Sequence, residues 1–94
     1  MPGAATRRVQ LTITHPTGLH ARPAVKLTKL AKLFDADIRL RGLPAGEWVD
    51  AKSIVKVMAL KLKSGTVIEI EAAGAGAEEA IAGLAGLVER NFDE

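Results

Sequence analysis

The chain has 94 residues, too few for two domains of ordinary size, and 48% of them are hydrophobic, which excludes a disordered protein. It contains no cysteine, so disulfides and thiolate metal sites are excluded, and its 3% of aromatic residues leave an aliphatic core. The net charge of +2 suits an acidic protein partner as well as a nucleic acid. No signal peptide and no apolar run of membrane-spanning length is present, so we expect one cytoplasmic domain over residues 1–94.

The first half of the chain predicts a strand followed by a helix. Residues 1–6 are expected to form a loose tail, and residues 9–13 alternate apolar and polar side chains, as a half-buried strand does. Residues 23–34 carry apolar side chains at helical spacing. Val25 and Leu33 fit that apolar stripe poorly, so we expect both to be partly exposed.

The second half of the chain predicts a hairpin, a helix, a strand and a final helix. Their predicted positions are 36–41 with 48–50, 54–62, 66–72 and 78–90. Ser53 is a preferred N-cap residue and is expected to begin the first of these helices. The resulting order, β-α-β-β-α-β-α, belongs to the α+β class, and its simplest packing is one sheet with the helices on one face.

A histidine and an arginine flank the predicted start of the first helix. Pro23 is tolerated only in a helix's first turn, so the helix begins near Ala21 and places His20 at its N-terminus. Backbone N–H groups there bind anions, and their positive potential favours a neutral imidazole with an available lone pair. Arg22 adds a guanidinium that can hold phosphate oxygens, and Gly18 allows close approach. These residues suit a phosphohistidine site, although a solvated histidine and a surface arginine would produce the same spacing.

Two segments resemble the signatures of the HPr family, the histidine phosphocarriers of the bacterial phosphoenolpyruvate-dependent phosphotransferase system. Residues 18–24, GLHARPA, resemble the phosphorylation motif, and residues 51–58, AKSIVKVM, resemble the second signature. The resemblance implies an open-faced β-sandwich, a four-stranded antiparallel sheet with three helices on one face. It also implies that His20 is phosphorylated on Nδ1 with Arg22 beside it, cradled by the backbone of Ala21 and Arg22. Ser53 matches the serine that HPr kinase/phosphorylase modifies in some bacteria.

The resemblance also implies partners and a role. Enzyme I would supply the phosphate and a sugar-specific acceptor domain would receive it, with no cofactor, so the chain would be a carrier within a relay rather than a stand-alone enzyme. Phosphate on Ser53 would suit the helix dipole and would place negative charge in the surface that docks acidic partners.

The second helix and the first helix together predict that docking surface. Val57 and Leu60 already supply an inward face for the second helix, which leaves three apolar residues exposed near the histidine. These residues are Ile54, Val55 and Met58. The basic positions that the resemblance adds are Lys29 and Lys32, with Lys26 as a further candidate. The alternative is that the apolar residues belong to the core and that the lysines form a solvated helix face.

Other functions remain open at this level. A regulatory paralogue in a nitrogen-related or dihydroxyacetone-linked relay would keep the same histidine motif. An RNA-binding module is disfavoured because aromatic residues for base stacking are nearly absent. His15 is expected to be a surface residue, and because His15 and His20 lack a third ligand we expect no metal site. A carrier that presents one site to successive partners is expected to be a monomer.

Overall fold

The computed structural model describes residues 6–93, and over that part of the chain the strands and helices follow the predicted order. The strands are Thr6–Thr12 (β1), Asp37–Gly42 (β2), Val49–Asp50 (β3) and Val67–Ala73 (β4). The helices are Ala21–Ala31 (α1), Ile54–Ala59 (α2) and Ala77–Glu89 (α3), and a turn of 3-10 helix follows at Asn91–Asp93.

The four strands form one antiparallel sheet in the order β1-β4-β2-β3. One row of facing residues crosses the whole sheet, because Val9 pairs with Ile70, Ile70 with Leu40, and Leu40 with Val49. Ile70 and Leu40 are completely buried beneath the helices. The predicted α+β class and the open-faced sandwich with its helices on one face are therefore confirmed.

The opposite face of the sheet carries two carboxylates that are almost completely buried, Glu69 and Glu71. Arg39 Nε donates to Glu71 Oε1 at 2.6 Å, and Arg8 Nε donates to Glu71 Oε2. The hydrogen bond from Arg39 is the main cause that holds the pKa of Glu71 below its usual range, and Arg8 acts in the same direction against the effect of burial. Arg41 Nη2 contacts Glu69 Oε1 at 2.8 Å, so arginines from neighbouring strands shield both carboxylates from water.

The predicted hairpin is present, and its second strand is very short. Arg39 pairs with Asp50 and Leu40 with Val49. Trp48 lies just before this strand, 4.5 Å from the guanidinium carbon of Arg39 and equally far from that of Arg41. These cation–π contacts fasten the end of the hairpin to the sheet face that carries the arginines.

In the first half of the chain, the two largest differences from the predicted boundaries are at the start of β1 and at the end of α1. Thr6 belongs to β1, where it pairs with Ala73, so the predicted tail is wrong at this residue. The rest of that tail, residues 1–5, lies outside the described residues. Helix α1 ends at Ala31 rather than at Phe34, because the amides of residues 33 and 34 make shorter-range turn bonds and the Lys52 ammonium donates to the Phe34 carbonyl at 2.7 Å. Val25 and Leu33 are both exposed, as predicted.

Candidate functional site

His20 occupies the N-cap position of α1, so the helix begins where the sequence predicts. Its backbone is extended, with φ −90° and ψ −164°, and its carbonyl accepts the first helical hydrogen bond from the Ala24 N–H at 3.0 Å. The His20 ring is half-buried and makes no capping hydrogen bond within α1. Because Pro23 has no N–H, the remaining first-turn amides are those of Ala21 and Arg22, the two predicted cradle residues. Both of these residues are exposed.

Backbone hydrogen bonds fix the turn between β1 and α1, which leads to His20. The Gly18 N–H donates to the His15 carbonyl at 2.9 Å, and the Leu19 N–H donates to the Leu62 carbonyl at 2.9 Å. Gly18 has φ +71°, and a Cβ built on it would lie 2.5 Å from the Leu62 carbonyl oxygen. Glycine is therefore needed because the chain itself approaches here, and not only because a ligand must reach the histidine.

An open recess of about 540 Å³ adjoins the His20 ring. Its lining residues are Pro16, Thr17, Leu19, His20, Met58, Lys61, Leu62, Lys63 and Ser64. Lys61 and Lys63 place two cations on the wall, which favours an anion in the recess. Neither lysine is among the site residues predicted from the sequence. The alternation of Lys61, Leu62 and Lys63, with the leucine buried, is the sequence pattern that indicates two exposed lysines here.

The sequence predicts His15 as a surface residue without a site role, but the structure places it against His20. The two ring centroids are 5.5 Å apart and the ring planes are inclined by 62°. The His15 Nδ1 accepts a hydrogen bond from the Thr17 N–H at 3.3 Å and lies 3.0 Å from the Thr17 hydroxyl oxygen. No local periodicity identifies this pair, because the turn between β1 and α1 creates it.

Helix α2 begins at Ser53, as predicted, and ends earlier than predicted. The Ser53 hydroxyl accepts a hydrogen bond from the Lys56 N–H at 3.3 Å, which is the expected N-cap contact. The helix ends at Ala59 instead of Leu62, because Lys61 adopts the left-handed conformation with φ +51° and its N–H bonds the Met58 carbonyl.

The predicted docking surface is only partly exposed. Val55 is 75% exposed and Met58 is 39% exposed, and Met58 lies on the recess wall beside His20. Ile54 is half-buried and packs against the core, so its predicted exposure is wrong. Val57 is completely buried and Leu60 half-buried, in agreement with the predicted inward face.

The lysines of α1 divide into two groups. Lys29 and Lys32 are exposed, Lys29 in the last turn of α1 and Lys32 at its C-cap. Lys26, the further candidate for partner binding, instead donates from Nζ to the Phe92 carbonyl at 2.8 Å. Phe92 is completely buried, so Lys26 fastens the C-terminal turn to α1.

The described residues hold neither a metal-binding cluster nor a membrane-spanning helix. Over residues 6–93, no group of three or more His, Cys, Asp or Glu side chains is placed to hold a metal ion. The same residues include no helix with the length and hydropathy needed to cross a membrane.

Known proteins match this chain over nearly its whole length. A family model described as "PTS HPr component phosphorylation site" matches residues 7–90. The phosphocarrier protein NPr of Escherichia coli K12 is 39% identical over 89 residues, which cover 95% of this chain and 98% of NPr. The phosphocarrier protein HPr of Vibrio cholerae is 43% identical over 81 residues, covering 86% of this chain and 93% of that protein.

Solved structures match at the level of the fold. The crystal structure of HPr-C-His from Thermoanaerobacter tengcongensis superposes with a TM-score of 0.87 at 38% identity, covering 94% of this chain and 97% of that one. The HPr of Bacillus anthracis gives a TM-score of 0.80 at 36% identity, covering 87% and 95%.

Proposed function

Because this chain belongs to the HPr family of phosphocarrier proteins of the phosphotransferase system, we propose that His20 receives a phosphoryl group from Enzyme I and passes it to a sugar-specific acceptor domain. Membership of the family implies Enzyme I and acceptor proteins as partners in general terms. The observation that carries the assignment to His20 is its position at the N-cap of α1, beside a recess that two lysines line. A cytoplasmic location rests on the same family membership.

The chemistry at His20 is nucleophilic. A ring nitrogen lone pair attacks the phosphorus of the phosphorylated donor, the N–P bond to His20 forms, and the bond to the donor's leaving atom breaks. The first-turn amides of Ala21 and Arg22 and the positive end of α1 stabilise the added negative charge. Arg22 lies in the same first turn and is exposed, and its guanidinium is proposed to hold oxygens of the phosphoryl group.

The test is phosphorylation in a defined mixture. The protein is incubated with phosphoenolpyruvate and Enzyme I, and its intact mass is measured. We expect one acid-labile phosphoryl group on the wild type and none on His20→Ala. Arg22→Ala should be phosphorylated more slowly while it keeps its fold. His15→Ala keeps the His20 acceptor, so it should still take up one phosphoryl group. A wild-type chain that takes up no phosphate from active Enzyme I would refute the carrier function.

A nitrogen-related relay is the second proposal, and the NPr match over 95% of the chain supports it. The two proposals differ in which partners exchange phosphate with the chain. The two proposals are distinguished by the rate of phosphorylation, measured separately with Enzyme I of the sugar system and with its nitrogen-related counterpart at equal concentrations. Faster phosphorylation by the sugar-system enzyme supports sugar uptake, and the reverse order supports the regulatory relay.

We also propose that the exposed residues around His20 form the docking surface for acidic partners. The apolar part consists of Val55 and Met58, with Ile54 contributing only its exposed edge. Lys29 and Lys32 are proposed as the basic part. The chain is proposed to be a monomer, which leaves this surface open to the acceptor. Analytical sedimentation of the protein tests the oligomeric state.

Ser53 is proposed as a regulatory phosphorylation site. Its hydroxyl faces the first turn of α2, so a phosphate there would remain at a helix N-terminus and would add negative charge close to Val55. The direct test is to incubate the protein with HPr kinase/phosphorylase and to measure its intact mass. A mass increase that Ser53→Ala abolishes supports the proposal, and an unmodified wild-type chain contradicts it.

A further inference from the structure

The imidazole of His15 stands beside the proposed phosphoryl acceptor, and its backbone and its ring are both held in place. The His15 carbonyl accepts the Gly18 N–H at 2.9 Å, which closes the turn before His20. The neighbouring Thr14 hydroxyl contacts the Asn91 side chain, so the C-terminal turn supports this segment from the other side. His15 therefore does not have the freedom of an ordinary surface side chain.

The hydrogen bonds of the His15 ring identify which nitrogen carries its proton. The Thr17 N–H donates to Nδ1 at 3.3 Å, so Nδ1 must present a lone pair. In the neutral ring the proton is then on Nε2, and the Thr17 hydroxyl oxygen lies 3.0 Å from Nδ1. Thr17 thus leaves Nε2–H as the only hydrogen-bond donor of the neutral ring.

The position of the ring makes that donor relevant to phosphoryl transfer. The His15 and His20 centroids are 5.5 Å apart, and both rings are half-buried, so solvent screens their interaction only in part. A phosphoryl group on His20 extends outward by an N–P bond and a P–O bond, which brings its oxygens within reach of a ring at this distance. Lys61 and Lys63 line the recess that adjoins His20, and His15 is not among its lining residues.

We propose that His15 is a second phosphoryl-binding residue, which donates its Nε2–H to a phosphoryl oxygen on His20 and stabilises the phosphorylated form. This inference rests on the proposed function of His20. No proton is transferred in the step: the His20 lone pair forms the N–P bond, the donor's bond to phosphorus breaks, and His15 keeps its proton. The contribution of His15 is selective, because the hydrogen bond exists only when the phosphoryl group is present.

Three variants test the role of the donor. In His15→Ala the donor is removed, whereas in His15→Gln the side-chain amide places an N–H near the position of Nε2. Thr17→Ala removes one of the two contacts that fix the ring. Each variant is equilibrated with Enzyme I at a fixed ratio of phosphoenolpyruvate to pyruvate, and the ratio of phosphorylated to free protein is measured by intact mass. Urea denaturation of the free proteins shows whether each variant is folded.

We expect His15→Ala to lower that ratio about threefold to tenfold, as the loss of one partly solvated hydrogen bond should, with a smaller loss in Thr17→Ala. His15→Gln should restore most of the ratio. In the wild type, nitrogen NMR should show the Nε2 resonance of His15 shifting on phosphorylation. A folded His15→Ala variant with the wild-type ratio, or an unchanged Nε2 resonance, would overturn the proposal.

The outcomes separate this inference from the proposed function. If the wild-type chain is not phosphorylated at all, the function of His20 fails and the role of His15 falls with it. If the wild type is phosphorylated and the His15 variants match it, only the inference about His15 fails. Phosphate retained by His20→Ala and lost from the double variant His20→Ala/His15→Ala would make His15 an acceptor and would overturn its role as a donor.

Discussion

The approach of Gly18 to the segment after α2 determines where His20 stands, and a single methyl group tests it. In Gly18→Ala the new Cβ would lie 2.5 Å from the Leu62 carbonyl oxygen and 3.0 Å from the Lys63 Cα. Both neighbours are backbone atoms, so no flexible side chain can move aside. The same carbonyl accepts the Leu19 N–H at 2.9 Å, one residue before the site histidine.

The expected loss of stability has three parts. A non-glycine residue at φ +71° is strained by about 1 kcal/mol. Separating the two segments removes the Leu19–Leu62 hydrogen bond, worth about 1 kcal/mol, and displacing packed backbone adds about 1–3 kcal/mol. The sum is about 3–5 kcal/mol, a large part of the stability of a small domain. Gly65 is the matched control, because it has φ +90° and a Cβ added there would meet no atom within 4 Å, so Gly65→Ala should lose only about 1–2 kcal/mol.

Urea denaturation followed by circular dichroism measures both variants. With a slope of about 1 kcal/mol per molar urea, the midpoint of Gly18→Ala should fall at least about 1 M further than that of Gly65→Ala. A Gly18→Ala chain that is already unfolded in buffer agrees with the upper end of the expected loss. Equal midpoints for the two variants would show that strain alone acts at Gly18 and would refute the close backbone approach.

Three further changes test other parts of the structure. Ser53→Ala removes the N-cap contact with Lys56, and because that bond is 3.3 Å long and exposed we expect a loss of about 0.5–1 kcal/mol in urea denaturation; no loss would contradict the cap. The lowered pKa of Glu71 means that the folded state favours the carboxylate, so its stabilisation is present above the ordinary value of 4.5 and disappears as the pH falls through the lowered pKa. The unfolding free energy of Glu71→Gln should therefore fall less steeply with acidification than that of the wild type, and parallel curves would refute this. Val55→Asp should slow phosphorylation by Enzyme I while changing stability by less than about 0.5 kcal/mol, since the side chain is 75% exposed. Ala82→Asp is its control, because Ala82 is an exposed residue of α3 outside the proposed docking surface, and equal slowing of both would contradict a docking surface around Val55.

Local patterns predicted most of the fold. The alternation of apolar residues located the strands, and the N-cap preference of Ser53 located the start of α2. The helix ends were less predictable, because tertiary contacts decide them. Nothing in the sequence near Phe34 indicates that its carbonyl will accept a hydrogen bond from Lys52. Nothing before Lys61 indicates that this lysine will adopt a left-handed conformation.

The sequence by itself determined that an imidazole, an arginine and a proline meet at a helix start, since capping and the φ restriction of proline act within a few residues. Only the tertiary structure decided what else stands around His20. His15 approaches it because the turn folds back at Gly18, and Lys61 and Lys63 reach the recess because the segment after α2 docks on that turn. Likewise Glu71 is shielded by arginines that lie 32 and 63 residues away along the chain. Such contacts depend on strand register and on backbone approach between distant segments, and no local periodicity records either.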